Sequence, residues 1–379
     1  MAYSAQMAPV HDVAIVGAGL LGLAAARALA AQGRDVVVVE QATIGHDGAG
    51  SKGSCRIFRL GYREPDYVTA AVRARDLWRE LEAQTGSVIL HPAPHLTFGP
   101  HLPEVRDAMR RAGAPCEPLS AAAAAERFPG IRLDGPVLLE TESAVIAADV
   151  ALAALAACVP EVRTGVRVTE VADDGRQVTL RTARPDGTTG DDVTARVAVL
   201  TAGPGTAGLL RNTLTGMLRP TLEQVAYFEP VSPAQGASDA GMPIFICHGG
   251  QSPYGLPVPR SGRYKIGIHT SGPVVSPDEQ DQSPDPALTA RLSEMASRYL
   301  PGFRPEPVAT ERCVYDNTPD EDFIVDRIGN VVLGCGTSGH GFKFGPLLGT
   351  WLAALAGGGS ETPPGRFGLA RLRMVPGPG

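Results

Sequence analysis

Apolar positions first cluster from Asp12 to Val16, a run that reads as a short buried strand. The chain then turns through Gly17-Ala18-Gly19-Leu20-Leu21-Gly22 into an alanine-rich helix ending near Gly33, and four valines, Val36 to Val39, close on Glu40. Strand, glycine turn, helix and strand fit within about 30 residues, with an acid about 20 residues beyond the glycines, the proportions of a dinucleotide-binding βαβ unit.

Further along, residues 41–62 read as a glycine-rich loop that becomes basic. Residues 65–84 have helical spacing, with Tyr67, Val68, Ala71, Leu77 and Leu81 available for one face. The run Ala121 to Ala125 reads as a helix start without a function. A helix over about 148–158 leads to Gly165-Val166-Arg167-Val168 and then to a hairpin around Asp186-Gly187. Val197 to Leu200 is another buried strand and ends in Thr201-Ala202-Gly203. Strand-like runs follow at Val225 to Phe228, Ile244 to Cys247 and Tyr264 to Ile268, then a loop from Pro273 to Pro286 and a helix to about Leu300. Strands at Phe323 to Val325 and Val331 to Leu333 run into the glycine turn Gly334 to Gly341 and a last helix, and the Pro/Gly-rich tail is expected to fray. No internal repeat is visible. This order predicts a mixed α/β and α+β fold, a Rossmann-like nucleotide-binding domain interleaved with a β-rich substrate domain. The expected boundaries are 1–84, 142–220 and 314–379 for the first, and 85–141 and 221–313 for the second.

Composition narrows the function classes. The chain has 379 residues, 44% of them hydrophobic, enough for a large core, and its net charge of −6 without a basic run speaks against a nucleic-acid partner. Six cysteines lie scattered with no CxxC pair, which indicates neither a metal site nor a disulfide framework and fits a reducing cytoplasm. No positively charged leader precedes the first apolar run, and no stretch reaches the roughly 18 apolar residues needed to span a bilayer, so a soluble cytoplasmic protein is expected. Only three of the 34 basic residues are lysines: Lys52, Lys265 and Lys343. Arginine replaces an exposed lysine readily, but not a compact ammonium with a tunable pKa, so each survivor becomes a candidate site residue. General drift toward arginine is the bland alternative.

Gly17, Gly19 and Gly22 would let a pyrophosphate rest on backbone N–H groups at a helix N-terminus, and Glu40 would accept from ribose hydroxyls. The acid does not separate NAD from FAD. A second strand ending in Thr201-Ala202-Gly203 and a third glycine turn favour FAD, because an extended flavin dinucleotide can use several close backbone approaches.

Four segments carry a more specific signal. Gly53-Ser54-Cys55-Arg56-Ile57-Phe58-Arg59 is followed by Tyr254-Gly255-Leu256-Pro257 leading to Lys265-Ile266-Gly267-Ile268-His269. Then come Cys313-Val314-Tyr315 with Thr318-Pro319-Asp320-Glu321 and Phe323-Ile324-Val325-Asp326, and finally Ser338-Gly339-His340-Gly341-Phe342-Lys343-Phe344. Together they resemble the monomeric sarcosine oxidase and N-methyltryptophan oxidase family, in that family's order and as far as about residue 355. The resemblance implies an FAD-dependent oxidase of secondary amines or N-substituted amino acids, with hydride transfer to flavin giving an imine and O2 reoxidising the flavin to H2O2. It also implies a monomer.

By the same resemblance, Cys313 would attach the flavin covalently, with cations such as Arg56 lowering its thiol pKa. Arg59 and Lys343 would hold the substrate carboxylate, and Lys265 would activate oxygen beside the flavin. Tyr254, His269, Tyr315 and His340 would surround the substrate, with Tyr62 a weaker candidate. Ala202, Gly203, Gly339 and Gly341 would approach the cofactor. Cys335 reads as a small buried hydrophobe. No Ser-His-Asp arrangement or metal-ligand spacing competes with this site.

Three positions depart from the family. Lys52 stands where a histidine is usual, which offers a fixed cation to the cofactor and leaves covalent attachment open. Asp316 stands where a threonine is common and would suit a substrate with an extra cation or hydroxyls. Gly205 replaces an aromatic residue, so the surroundings there are expected to be looser. Two rival readings remain, a flavin dehydrogenase that uses another electron acceptor and a non-catalytic dinucleotide-binding protein.

Overall fold

A computed structural model describes residues 10–374 apart from 211–213, 215, 233–240, 280 and 358; the tail from 375, with its expected fraying, lies outside the described residues. The opening motif forms as its spacing predicts, with strand Val10–Val16, helix Leu20–Ala30 and strand Val36–Val39. Val13, Ala14 and Ile15 are fully buried, and Val36 to Val39 nearly so, because the sheet is covered on both faces. Val16 lies level with Val39 on one side and with Leu200 on the other, and Leu200 lies level with Leu333. These four strands run parallel, so their carboxyl ends meet at one edge, where open α/β sheets bind ligands. Each is followed there by a segment singled out in the sequence: Gly17 to Gly22, Glu40, Thr201-Ala202-Gly203, and the glycine turn beginning at Gly334.

Helix Gly345–Leu355 lies against Leu20–Ala30 at backbone contact, since a Cβ at Gly349 would come within 2.5 Å of the Ala24 carbonyl carbon. Beyond the parallel strand Val193–Leu200, strand Val178–Ala183 and then Arg167–Asp173 extend the same sheet by antiparallel pairing. The expected turn at Asp186-Gly187 is present, with the Asp186 carboxylate accepting from the Thr188 N–H and Gly187 at φ +83°. A second turn, which the sequence reading missed, closes in the same way on Asp174 and Gly175.

The second large sheet runs in the order Ala309–Asn317, Arg219–Phe228, Tyr264–Ile268, Pro253–Pro257, Ile244–Cys247, His95–Phe98, Val137–Glu140 and Glu117–Leu119. Strand Ala309–Asn317 was not foreseen; it crosses the expected boundary at 313/314 and pairs along its length with Arg219–Phe228. One face of this sheet carries Leu96, Phe98, Phe245, Tyr264 and Ile266, which pack with Leu292, Met295 and Tyr299 of helix Pro286–Tyr299. That helix starts at Asp285, whose carboxylate accepts from the N–H groups of Ala287 and Leu288.

The expectation of a loop over 41–62 needs correction. Cys55–Phe58 is a strand, paired with Ala144–Ala147 in a small third sheet. Its four residues are too few for a periodic signal, and pairing with a distant partner decides it. Helix Pro65–Thr85 buries the expected Tyr67, Val68, Ala71, Leu77 and Leu81, together with Trp78.

Candidate active site

Side chains alternate across a strand, so residues level with one another in paired strands share a face. Cys313 is level with Glu223, Tyr227 with Lys265, and Lys265 with Leu256. Tyr254 is level with Gly267 and Ile246, Ile246 with Thr97, and His95 with Glu140. All of these lie on the face opposite the apolar core around helix Pro286–Tyr299. That face and the carboxyl edge of the first sheet enclose a cavity of about 1550 Å³, larger than the roughly 300–1,000 Å³ of ordinary ligand pockets.

Every site residue expected from the sequence lines this cavity except Gly22. A Cβ at Gly22 would stand 1.9 Å from the Gly17 carbonyl oxygen, so Gly22 serves close helix-strand packing. Gly17 has φ +97° and would bring a Cβ to 2.7 Å from the Thr201 carbonyl oxygen. The Ser51 hydroxyl accepts from the Leu20 N–H, which ties the 48–52 loop to the helix N-terminus. Glu40 accepts from the N–H groups of Ala18 (2.8 Å) and Ala42 (2.9 Å), a use that leaves carboxylate lone pairs for a ligand. At Gly205 a Cβ would meet only Ala202 at 4.0 Å, in keeping with the looser surroundings expected there. A long cavity, glycine approaches at one end and an anchored acid together fit a bound dinucleotide.

Arg59 follows strand Cys55–Phe58 and is 8% exposed. Its guanidinium carbon stands 3.8 Å from the centre of the Tyr62 ring, and its Nη1 has no hydrogen-bond partner. Lys343, in the turn Phe342–Phe344, places Nζ 5.6 Å from the same ring and donates to the His340 carbonyl (2.8 Å). Burial and the Arg59 charge hold its pKa well below the usual lysine range. Arg59 and Lys343 thus share one wall, where Arg59 Nη1 is left without a partner. Burial pushes the Tyr62 hydroxyl up to about 12, so it stays protonated.

Lys265 is buried in its strand, where a lone lysine would ordinarily face solvent. Its Nζ donates to the Cys55 carbonyl (3.3 Å) and stands 5.5 Å from the Tyr227 ring centre, and burial lowers its pKa. Arg56 clamps the loop before it, donating to the carbonyls of Cys55 (2.9 Å), Gly50 (3.3 Å) and Lys52.

Three expectations change. Cys313 lies near Arg56 and Lys265, but burial outweighs both cations and raises its thiol pKa, so the protein alone does not hold it as a thiolate. Asp316 is one residue out of step with Cys313 and Tyr315, which turns its side chain to the opposite face of the strand. There its carboxylate accepts from the N–H groups of Gly336 (2.7 Å) and Thr337 (3.0 Å) and from the Thr337 hydroxyl (2.7 Å), and so holds the glycine turn at the cavity wall. Lys52 is half-buried at the rim and donates to the Gln282 side chain (2.9 Å).

Tyr254 and Tyr315 share a hydroxyl hydrogen bond, and Gly339 lies so close that a Cβ would stand 2.0 Å from the Tyr315 ring. A Cβ at Gly341 would likewise press on Thr337, at 2.6 Å. His340 sets Nε2 3.0 Å from the Glu321 carbonyl, which places its proton there and leaves Nδ1 to accept from Tyr62 (3.4 Å). His269 lies 3.8 Å from the Glu321 carboxylate. Cys335 is buried, with its pKa pushed far up by burial, as its reading as an inert hydrophobe requires.

Sequence reasoning missed Tyr227, Glu311, Glu223 and His248. Tyr227 donates to Glu311 (2.7 Å), and Glu223 accepts from the N–H groups of Ser271 (2.9 Å) and Gly272 (3.0 Å), just after His269. Glu311 shares a face with Cys313 and Tyr315, two residues apart along a strand that its pairing with Arg219–Phe228 defines.

Among the described residues no group of His, Cys, Asp and Glu side chains could hold a metal ion, and no helix is long and apolar enough to cross a membrane. The family model described as FAD dependent oxidoreductase matches residues 12–355. Human peroxisomal sarcosine oxidase is 33% identical over 370 residues, covering 91% of this chain and 92% of its own length. Monomeric sarcosine oxidase from Bacillus sp. is 30% identical, covering 92% of this chain and 94% of its own. Among solved structures, NikD, an unusual amino acid oxidase essential for nikkomycin biosynthesis, is 25% identical with a TM-score of 0.78, covering 92% of this chain and 94% of that one.

Proposed function

The chain belongs to the FAD-dependent oxidoreductase family and is a flavoenzyme that oxidises amines; within that activity we propose an oxidase of secondary amines or N-substituted amino acids that carry a carboxylate. The observation that carries the substrate reading is the buried Arg59 Nη1, without a partner, beside a Lys343 that burial and then Arg59 disfavour as a cation. Such a pair is relieved by one bound carboxylate.

FAD, when bound, supplies the hydride acceptor for amine oxidation and the electrons that reduce O2 to H2O2. Gly17, Gly19, Glu40, Ala202 and Gly203 would hold its ADP half, and Arg56, Gly339 and Gly341 would border its other end. Arg59 and Lys343 fix the substrate by its carboxylate on the Tyr62 wall, and burial there strengthens both contacts. Tyr254, Tyr315, His269 and neutral His340 shape the space beside it. Lys265 Nζ, held by the Cys55 carbonyl, supplies a proton and positive charge where negative charge develops on oxygen. Cys313 is the residue for a covalent link to FAD, although its raised pKa means that its proton must leave as the bond forms. The division into an FAD-binding domain and a β-rich substrate domain, the monomeric state and the cytoplasmic location are further parts of this reading.

Aerobic turnover of a panel of N-methyl amino acids and cyclic secondary amino acids should release one H2O2 per amine consumed. Reduction of the yellow enzyme by an amine without peroxide in air would instead indicate a dehydrogenase.

A further inference from the structure

Beyond Ile246, the face of the second sheet that lines the cavity carries three polar side chains, two of them buried and the third, His248, half-buried. Thr97 and His95 are fully buried, two residues apart on strand His95–Phe98, which runs parallel to Ile244–Cys247. His248 follows that second strand on the same alternation and lines the cavity. Its backbone N–H donates to the Phe98 carbonyl (2.9 Å), and Gly99, at φ +107°, lies so close that a Cβ there would stand 2.3 Å from the His248 carbonyl oxygen. The position of His248 is therefore fixed by backbone packing. Thr97 Oγ1, His95 Nε2 and His248 Nε2 all lack hydrogen-bond partners. Three such atoms in one buried row are unusual, because unpaired polar groups in the interior are costly.

The charge around this row has one dominant sign. Burial, then Arg59, His95, His101 and Arg63, push the His248 pKa down to about 3. The carboxylates at this end are engaged or peripheral. Glu140 accepts from His95 (2.7 Å) and from the backbone of Leu60 and Gly61, Glu104 lies 3.4 Å from His101, and Glu64 lines the cavity next in sequence to Arg63.

We propose that the part of the cavity between His248 and the rim residues Arg63 and His101 is a second subsite for an anionic group, so that the substrate is a secondary amino acid bearing a second carboxylate. This rests on the reading of Arg59 and Lys343 as the site of the first carboxylate. The second carboxylate accepts from His248 Nε2–H, and its charge offsets the surrounding cations, so the imidazole is protonated more easily once the subsite is filled.

Calorimetric titration of the FAD-loaded protein with succinate, glutarate and adipate, each compared with butyrate, tests this independently of turnover. The best dicarboxylate should bind about tenfold tighter than butyrate, as a charge-assisted hydrogen bond implies. In His248→Leu that ratio should fall to about one, and in Arg63→Ala, a change at an exposed side chain that will not hinder folding, it should fall by about half or more. A wild-type ratio near one, or a ratio that survives both substitutions, overturns the second subsite. Failure of butyrate itself to bind would overturn the first carboxylate site, and this inference with it, whereas equal binding of both ligand classes leaves the first site standing.

Discussion

Glu140 is fully buried, and its carboxylate organises the chain that follows Arg59. One oxygen accepts from the N–H groups of Leu60 (2.8 Å) and Gly61 (3.0 Å) and from the Ser143 hydroxyl (3.3 Å), while the other faces His95 Nδ1 at 2.7 Å. Burial alone would raise its pKa, but His95, Arg59 and the backbone donors win and lower it from 4.5 to about 2. A carboxyl with a depressed folded pKa stabilises the fold fully above its unfolded value and loses that contribution as pH falls through the folded value. Here the contribution is about 3 kcal/mol near neutrality and about 2 kcal/mol at pH 3.5. Glu140→Gln keeps the shape but removes the charge, and should lower stability at pH 7 by about 2–3 kcal/mol. Urea denaturation of the holoenzyme at pH 7 and pH 3.5 can be followed through the buried Trp78. Other carboxylates titrate alike in both proteins, so the wild type should lose about 1 kcal/mol more than the variant between the two pH values. Equal losses would refute the charge-based account of Glu140. Because Leu60 and Gly61 lie next to Arg59, the variant should also raise KM for a carboxylate substrate more than it lowers kcat.

Other outcomes follow from the same geometry. Lys265→Met should slow reoxidation by O2 about 10²–10³-fold in stopped-flow traces, and reduction by substrate far less; equal effects would remove its oxygen role. If Cys313 carries FAD, acid precipitation of the wild type leaves the colour in the pellet and Cys313→Ser releases it, whereas colour in the wild-type supernatant ends the covalent claim. Lys343 has a lowered pKa in the free protein, so binding an anion beside it should take up a proton, and affinity for butyrate should fall as pH rises above that pKa. Calorimetry in buffers of different ionisation enthalpy reads the proton count, and binding without uptake would contradict the direction of the shift.

Much of the site was legible because its parts have local signatures. The glycine turn, the valine strand and Glu40 lie within 24 residues, and their βαβ geometry follows from backbone sterics and helix-terminus electrostatics. Lys265 and Lys343 stood out through the rarity of lysine, and both are buried on the cavity wall. The hold of Asp316 on the glycine turn was not legible because a residue's face depends on whether its segment is a strand, and Ala309–Asn317 becomes one only by pairing with Arg219–Phe228. His248, Glu140 and His95 had no signal, since each is ordinary in its own segment.

The sequence by itself determined the dinucleotide motif, the order of the elements and the identity of the candidate cations, all properties of neighbouring residues or of composition. Only the tertiary structure decided which of those groups are charged and free to bind. Burial and long-range neighbours set the pKa of Cys313, Lys343 and Glu140, and strand register chose which side chains face the cavity. Desolvation and register are set by residues far apart in the chain, so no local pattern reports them.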